Sequence, residues 1–175
     1  MNLPTLDEID RELARRSLAE FVRQAWPTIE GSTPLVWNWN LANVPPGSMK
    51  STIVSVCLPA WIWLWWPEWA GLFLSGAEDV SMRDSMKCRQ LITSDWYAGF
   101  NVPWRLAPDQ DAKRWFRNTV GGERQASTIG AKGTGKRVHH VVVDDANDTK
   151  DVSDLKLKAV WDSWRLTFQN RLKSM

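Results

Sequence analysis

Between Lys50 and Glu68 the chain carries no charged residue, and this run leads into the tryptophan-dense segment AWIWLWWPEW, Ala60–Trp69. Only lipid or a protein interior can accommodate such a stretch. A helix that crosses a bilayer needs about 20 predominantly apolar residues. This run is shorter, contains Ser51, Thr52 and Ser55, and is broken by Pro59. A buried helix ending in a turn is the better reading, so the chain must build a core around it. Its 175 residues suffice for one domain with a real core. The tryptophans at Trp61–Trp69 have helical spacing and no interleaved polar partners, which suits core or a subunit contact.

Hydrophobic residues make up 43% of the chain and charged residues 24%, a balance that argues against disorder. The formal charge of +2 gives no global attraction to polyanions, so any nucleic-acid surface must come from local clustering. Cys57 and Cys88 stand alone, without metal-ligand spacing, and read as buried free thiols of a reducing compartment. The N-terminus, MNLPTLDEIDREL, has acidic residues and no apolar core, unlike a secretory signal. A cytoplasmic protein with no membrane association is the expectation.

Thr5-x-x-Glu8 is a capping-box pattern, and the apolar residues after it predict a helix over about Leu6–Ala25, stopped before Pro27. Glu30–Asn40 reads as a loop and Leu41–Val44 as a short apolar stub. Ser51–Trp66 is the apolar helix, bent or ended near Pro59. Gly71–Ser75 is a buried strand and Asp79–Ile92 an amphipathic helix. Arg114–Val120 and Arg124–Ile129 flank Gly121-Gly122 as a hairpin. Val138–Val143 is a second buried strand ending in Asp144-Asp145. Ser153–Leu172 forms a final helix, with Leu155, Val160, Trp164 and Phe168 inward. Strands alternating with helices predict an α/β fold with a parallel sheet covered on both faces.

Two segments compete as a phosphate-binding loop. Gly130–Arg137, GAKGTGKR, has both glycines and the lysine of the usual pattern, but it precedes a strand, lacks a following helix and has no hydroxyl for Mg²⁺. Asn43–Thr52, NVPPGSMKST, lacks both usual glycines yet sits between an apolar stub and a helix. That context lets backbone N–H groups at a helix N-terminus hold an anion. Pro46, Gly47, Ser48, Met49, Lys50, Ser51 and Thr52 are therefore the candidate ATP-binding residues, with Lys50 on the β- and γ-phosphates and Ser51 on Mg²⁺. Asp144, at the tip of VHHVVVDD, completes the Mg²⁺ ligands, and Asp145 orients or deprotonates the attacking water. His139 and His140 have no metal-ligand spacing around them and read as structural. Phe21 and Trp26 fit either adenine stacking or the core. Lys132, Lys136 and Arg137 form a small basic patch.

Together NVPPGSMKST, PAWIW, SGAEDVSMRDSMKCRQLITSDWY, the GG…TIGAKGTG turn and VVVDDAND resemble the ATPase domain of tailed-phage terminase large subunits, over about Phe21–Leu172. The resemblance implies a P-loop NTPase three-layer sandwich with a mostly parallel central sheet. Residues 1–40 would lead into the domain and 41–175 form its core. It implies an ATP- and Mg²⁺-dependent motor that packages double-stranded DNA, working with a small terminase subunit and a portal protein as a homo-oligomeric ring in the host cytoplasm. The family's nuclease domain is missing from a chain that stops at Met175, so no DNA cleavage is expected. Asp145 stands where many members have glutamate, and Glu78 and Asp148 are the alternatives. Arg83, Arg89 and Arg124 are candidates for an arginine supplied to a neighbouring subunit. A truncated relic acting only as a binding or assembly module is the alternative function, and a small-molecule kinase a more distant one.

Overall fold

The computed structural model describes residues 4–29, 49–129 and 137–144, with Leu155, Lys158, Trp161 and Asp162 beyond them. The expected loop Glu30–Asn40, the stub Leu41–Val44 and most of the helix Ser153–Leu172 lie outside the described residues. Leu155, expected on that helix's inner face, is 83% exposed. The chain divides into two compact units, Met1–Trp66 with Met86–Pro103, and Pro67–Ser85 with Trp104–Met175.

In the first unit the capping box at Thr5 opens α1 (Leu6–Arg16), with Thr5 Oγ1 accepting from Glu8 N–H and Thr5 N–H donating to Glu8 Oε2. The single helix expected over Leu6–Ala25 is instead two. Ser17 is extended (φ −135°, ψ 119°), and its hydroxyl accepts from Glu20 N–H to cap α2 (Leu18–Ala25). A serine side chain that bonds the backbone locally offers the chain an alternative to continuing the helix. Pro27 then falls in a 3₁₀ turn, Trp26–Thr28. Phe21 and Trp26 are buried, and Phe21 packs edge-on against Trp96 at 5.1 Å, which places both residues in the core.

The apolar run is helical from Lys50, with Thr52–Cys57 in the wider π form and α3 (Leu58–Ile62) continuing it. Leu58 N–H bonds the carbonyl of Ile53, five residues back. Pro59 supplies the reason. It lacks an N–H, and in α register its ring would crowd the carbonyl of Ser55; a wider turn just before it relieves both. The helix stops at Ile62, and the carbonyl of Ala60 is taken by the hydroxyl of Tyr97 at 2.8 Å. Trp61 Nε1 donates to the carbonyls of Ala14 and Arg15, acceptors in the last turn of α1. Of the clustered tryptophans Trp63 is buried, whereas Trp65 is 57% exposed. Beyond α4 (Glu78–Ile92), Ser94 caps the short α5 (Asp95–Ala98). Cys57 and Cys88 are both buried thiols outside any disulfide, as expected.

The second unit holds a five-stranded sheet of order β2-β3-β4-β1-β5, comprising β1 (Ala70–Ser75), β2 (Leu106–Asp111), β3 (Trp115–Asn118), β4 (Glu123–Thr128) and β5 (His140–Asp144). β1 runs parallel to β4 and to β5, but β2–β3 and β3–β4 are antiparallel. The sheet is therefore mixed, and the expected P-loop NTPase sandwich with a mostly parallel central sheet is corrected. The cause is connection length. Only a few residues join β2 to β3 and β3 to β4, enough for hairpins but far too few for a parallel crossover.

The hairpin at Gly121-Gly122 is present, and Gly121 takes φ 99°, which a residue with a Cβ rarely adopts. Asn118 organises it from beneath. Its Oδ1 accepts from Val120 and Gly122 N–H, and its Nδ2 donates to the carbonyl of Pro67. One face of the sheet's parallel part carries Ala70, Leu72 and Leu74 packed with Val138, Ile129 and Val141.

Candidate functional site

Pro46, Gly47 and Ser48 lie outside the described residues, as does most of the competing GAKGTGKR segment. The described part of the nucleotide-loop candidate begins at Met49, in the first unit. Met49 has φ 65°, a left-handed backbone, and its carbonyl accepts from Ile53 N–H at 3.1 Å. Lys50 and Ser51 follow as helical residues, Ser51 at φ −59° and ψ −42°. A left-handed residue next to right-handed ones turns successive N–H groups toward one side, a concavity suited to an anion. Here that concavity opens a helix, where the N–H groups have no intrahelical acceptor. The missing second glycine is thus replaced by a methionine in the conformation a glycine would adopt freely. Lys50, Ser51 and Thr52 are each partly exposed.

Asp144 lies in the second unit, as the last residue of β5. Asp145 and Asp148 lie outside the described residues. The register of the parallel strands places Asp144 opposite Ser75, and Ser75 opposite Thr128. Residues in register on parallel strands share a face, so Thr128, Ser75 and Asp144 form one polar row at the carboxyl edge, with strands about 4.8 Å apart. Carboxyl edges of parallel strands are where open α/β sheets bind ligands. Sequence reading singled out Asp144 and missed Ser75 and Thr128. The signal was present, since both GLFLS and ERQAST end in a hydroxyl residue, but pairing register is not visible in a single strand.

Beside Thr128, a cleft of about 20 Å³, room for one water, is lined by Glu78, Ser81, Met82, Arg114, Ala126, Ser127 and Thr128. Glu78, an alternative catalytic carboxylate, is ion-paired to Arg114 there. Ser81 Oγ donates to the carbonyl of Ser127 at 3.3 Å.

The remaining candidates divide clearly. Arg124 is fully buried, with its guanidinium 4.4 Å from the centre of the Phe73 ring, so it cannot reach a neighbouring subunit. Arg83 is bonded to Asp84, its neighbour in α4. His139 Nδ1 accepts from Ala70 N–H at 2.8 Å, and His140 Nδ1 accepts from Trp69 Nε1 at 2.7 Å. Both imidazoles tie β5 to the start of β1, a structural role. Among the described residues no group of three or more His, Cys, Asp or Glu side chains is placed to hold a metal ion. Ser51 in the first unit and Asp144 in the second are each an oxygen donor of the hard kind that magnesium takes. Among the described residues no helix is long and apolar enough to cross a membrane.

No protein-family model matches the chain, and no curated protein sequence matches it either.

Proposed function

We propose that this chain is a magnesium-dependent ATP hydrolase, the motor domain of a terminase large subunit that couples hydrolysis to packaging of double-stranded DNA. The observation that carries this reading is the left-handed backbone of Met49 immediately before helical Lys50 and Ser51. It supports a phosphate-holding turn where the glycine pattern is absent. Lys50 pairs with the β- and γ-phosphates, and the N–H groups that open the helix orient them. Ser51 and Asp144 are the residues that would hold magnesium, and Asp145 directs the attacking water. Magnesium, when bound, would neutralise charge that develops on the phosphates. The partners in this reading are duplex DNA, a small terminase subunit, a portal protein and further copies of the chain, in the host cytoplasm.

Phosphate release from ATP with and without magnesium tests the proposal. Lys50→Ala and Asp144→Asn are each expected to lower the rate by at least about 100-fold while leaving far-ultraviolet circular dichroism unchanged. Hydrolysis absent in the wild type, or unaffected in both variants, would overturn it.

A catalytically weak or inactive relic, acting as a binding or assembly module, is favoured by one observation. Leu6, Ile9 and Leu13 recur along one face of α1, and all three are exposed. In that reading ATP analogues leave the melting temperature unchanged, because a ligand stabilises only the state it binds.

A further inference from the structure

The polar row at the carboxyl edge of β4, β1 and β5 holds a residue that the hydrolase reading does not use. Ser75 is 5% exposed and lies between Thr128 and Asp144 in register. A serine hydroxyl has one proton to donate and two lone pairs. One lone pair of Ser75 accepts from Ala77 N–H at 3.4 Å, and the Ser75 carbonyl accepts from Ile129 N–H at 3.2 Å. Among the described residues no acceptor for the Ser75 hydroxyl proton is found. A buried donor without an acceptor costs about 1–3 kcal/mol, so such groups call for an explanation.

The neighbouring acceptor on the same row is the carboxylate of Asp144, one strand away. The Asp144 carboxylate has no hydrogen bond or ion pair among the described residues. A strand spacing of about 4.8 Å lets a hydroxyl on one strand reach a carboxylate on the next directly or through one water. The other face of the same strands is apolar, with Leu72 and Leu74 in β1 and Val141 in β5. The polar row is therefore confined to the face that Asp144 shares.

We propose that Ser75 is a positioning residue for Asp144: its buried hydroxyl reaches one carboxylate oxygen through a water and leaves the other for the metal or its water. This rests on the hydrolase reading given above. A hydroxyl in this role fixes the rotamer of a short carboxylate without adding charge. Groups that orient a metal ligand in this way typically contribute 10–100-fold to affinity or rate.

Steady-state ATP hydrolysis at varied magnesium, with Ser75→Ala and Ser75→Thr beside the wild type, tests the assignment. Ser75→Ala is expected to lower kcat about 10–100-fold, to leave KM for ATP within about twofold, and to raise the magnesium concentration for half-maximal rate. Ser75→Thr keeps the hydroxyl and is expected to recover most of the rate. Wild-type kcat and magnesium dependence in Ser75→Ala would overturn the inference while leaving the hydrolase reading intact. So would a rate loss that Ser75→Thr does not rescue and that tracks a lowered melting temperature. Absence of magnesium-dependent hydrolysis in the wild type would overturn both.

Discussion

Methionine at a left-handed position is an unusual choice, because a Cβ there meets the backbone and costs about 1 kcal/mol relative to glycine. Met49 is unbranched and tolerates φ 65° better than a β-branched residue would. Met49→Gly is accordingly expected to preserve nucleotide binding. Met49→Ile should lower stability by about 1–3 kcal/mol and weaken ATP binding, as read by melting and by a fluorescent nucleotide analogue. Equal behaviour of the two variants would remove backbone conformation as the reason for the loop's form. Here the sequence was informative only in part. It showed that a glycine was absent, and context argued that the loop survived, but a dihedral angle at one methionine has no sequence signature. Ser17 is a similar case. Its hydroxyl divides a continuous helical pattern because local hydrogen bonding competes with an apolar periodicity that runs straight through it.

At the scale of the element, β1 is set by its first residues. A Cβ on Gly71 would lie 2.2 Å from the Trp69 ring, and Trp69 is itself buried with its Nε1 bound to His140. The indole has no room to retreat. Gly71→Ala is expected to destabilise the protein by about 1–3 kcal/mol, measured as a lowered denaturant midpoint at unchanged slope. The elements legible in the sequence were those with a strong period or turn: the capping box, GLFLS, the hairpin at Gly121-Gly122 and VHHVVVD. Those missed were β2, whose LAPDQD composition has no alternation and whose proline suits an edge strand, and the single-turn α5. Strand direction was misjudged for the same reason. The alternation of strands and helices was projected across a region where short turns fold the chain back on itself, and register, which aligns Ser75 with Asp144, is a property of pairs.

For the whole molecule, pH response follows from groups buried in their neutral form. Burial pushes the Tyr97 hydroxyl well above its ordinary 10.0, with Cys88 adding to the shift and Arg15 opposing it. Burial likewise pushes the Cys57 thiol above its ordinary 9.0, with Cys88 again adding. Both groups keep their protons in the folded chain at pH values where the unfolded chain has released them. Their contribution to stability is therefore complete below about pH 9 and is lost as pH rises further. Each such group steepens the fall by about 1.4 kcal/mol per pH unit once its unfolded counterpart has ionised. Urea unfolding between pH 8 and 11 is expected to show this decline. In Tyr97→Phe the loss of the bond to Ala60 should cost about 1–3 kcal/mol at pH 8, and the decline above pH 10 should be shallower than in the wild type. A stability that stays level to pH 11 would contradict the buried, protonated assignment of both groups.

The wide turn at Thr52–Cys57 also has a consequence for how this chain can change by insertion and deletion. A π turn is what remains when one residue is added to an α-helix without displacing the flanking turns. Removing one residue from Thr52–Cys57 would restore ordinary winding and leave the Lys50 end oriented as before relative to Leu58–Ile62. A one-residue length difference at this turn would therefore be absorbed within the helix, preserving both the aim of Lys50 and Ser51 and the core that the tryptophans build.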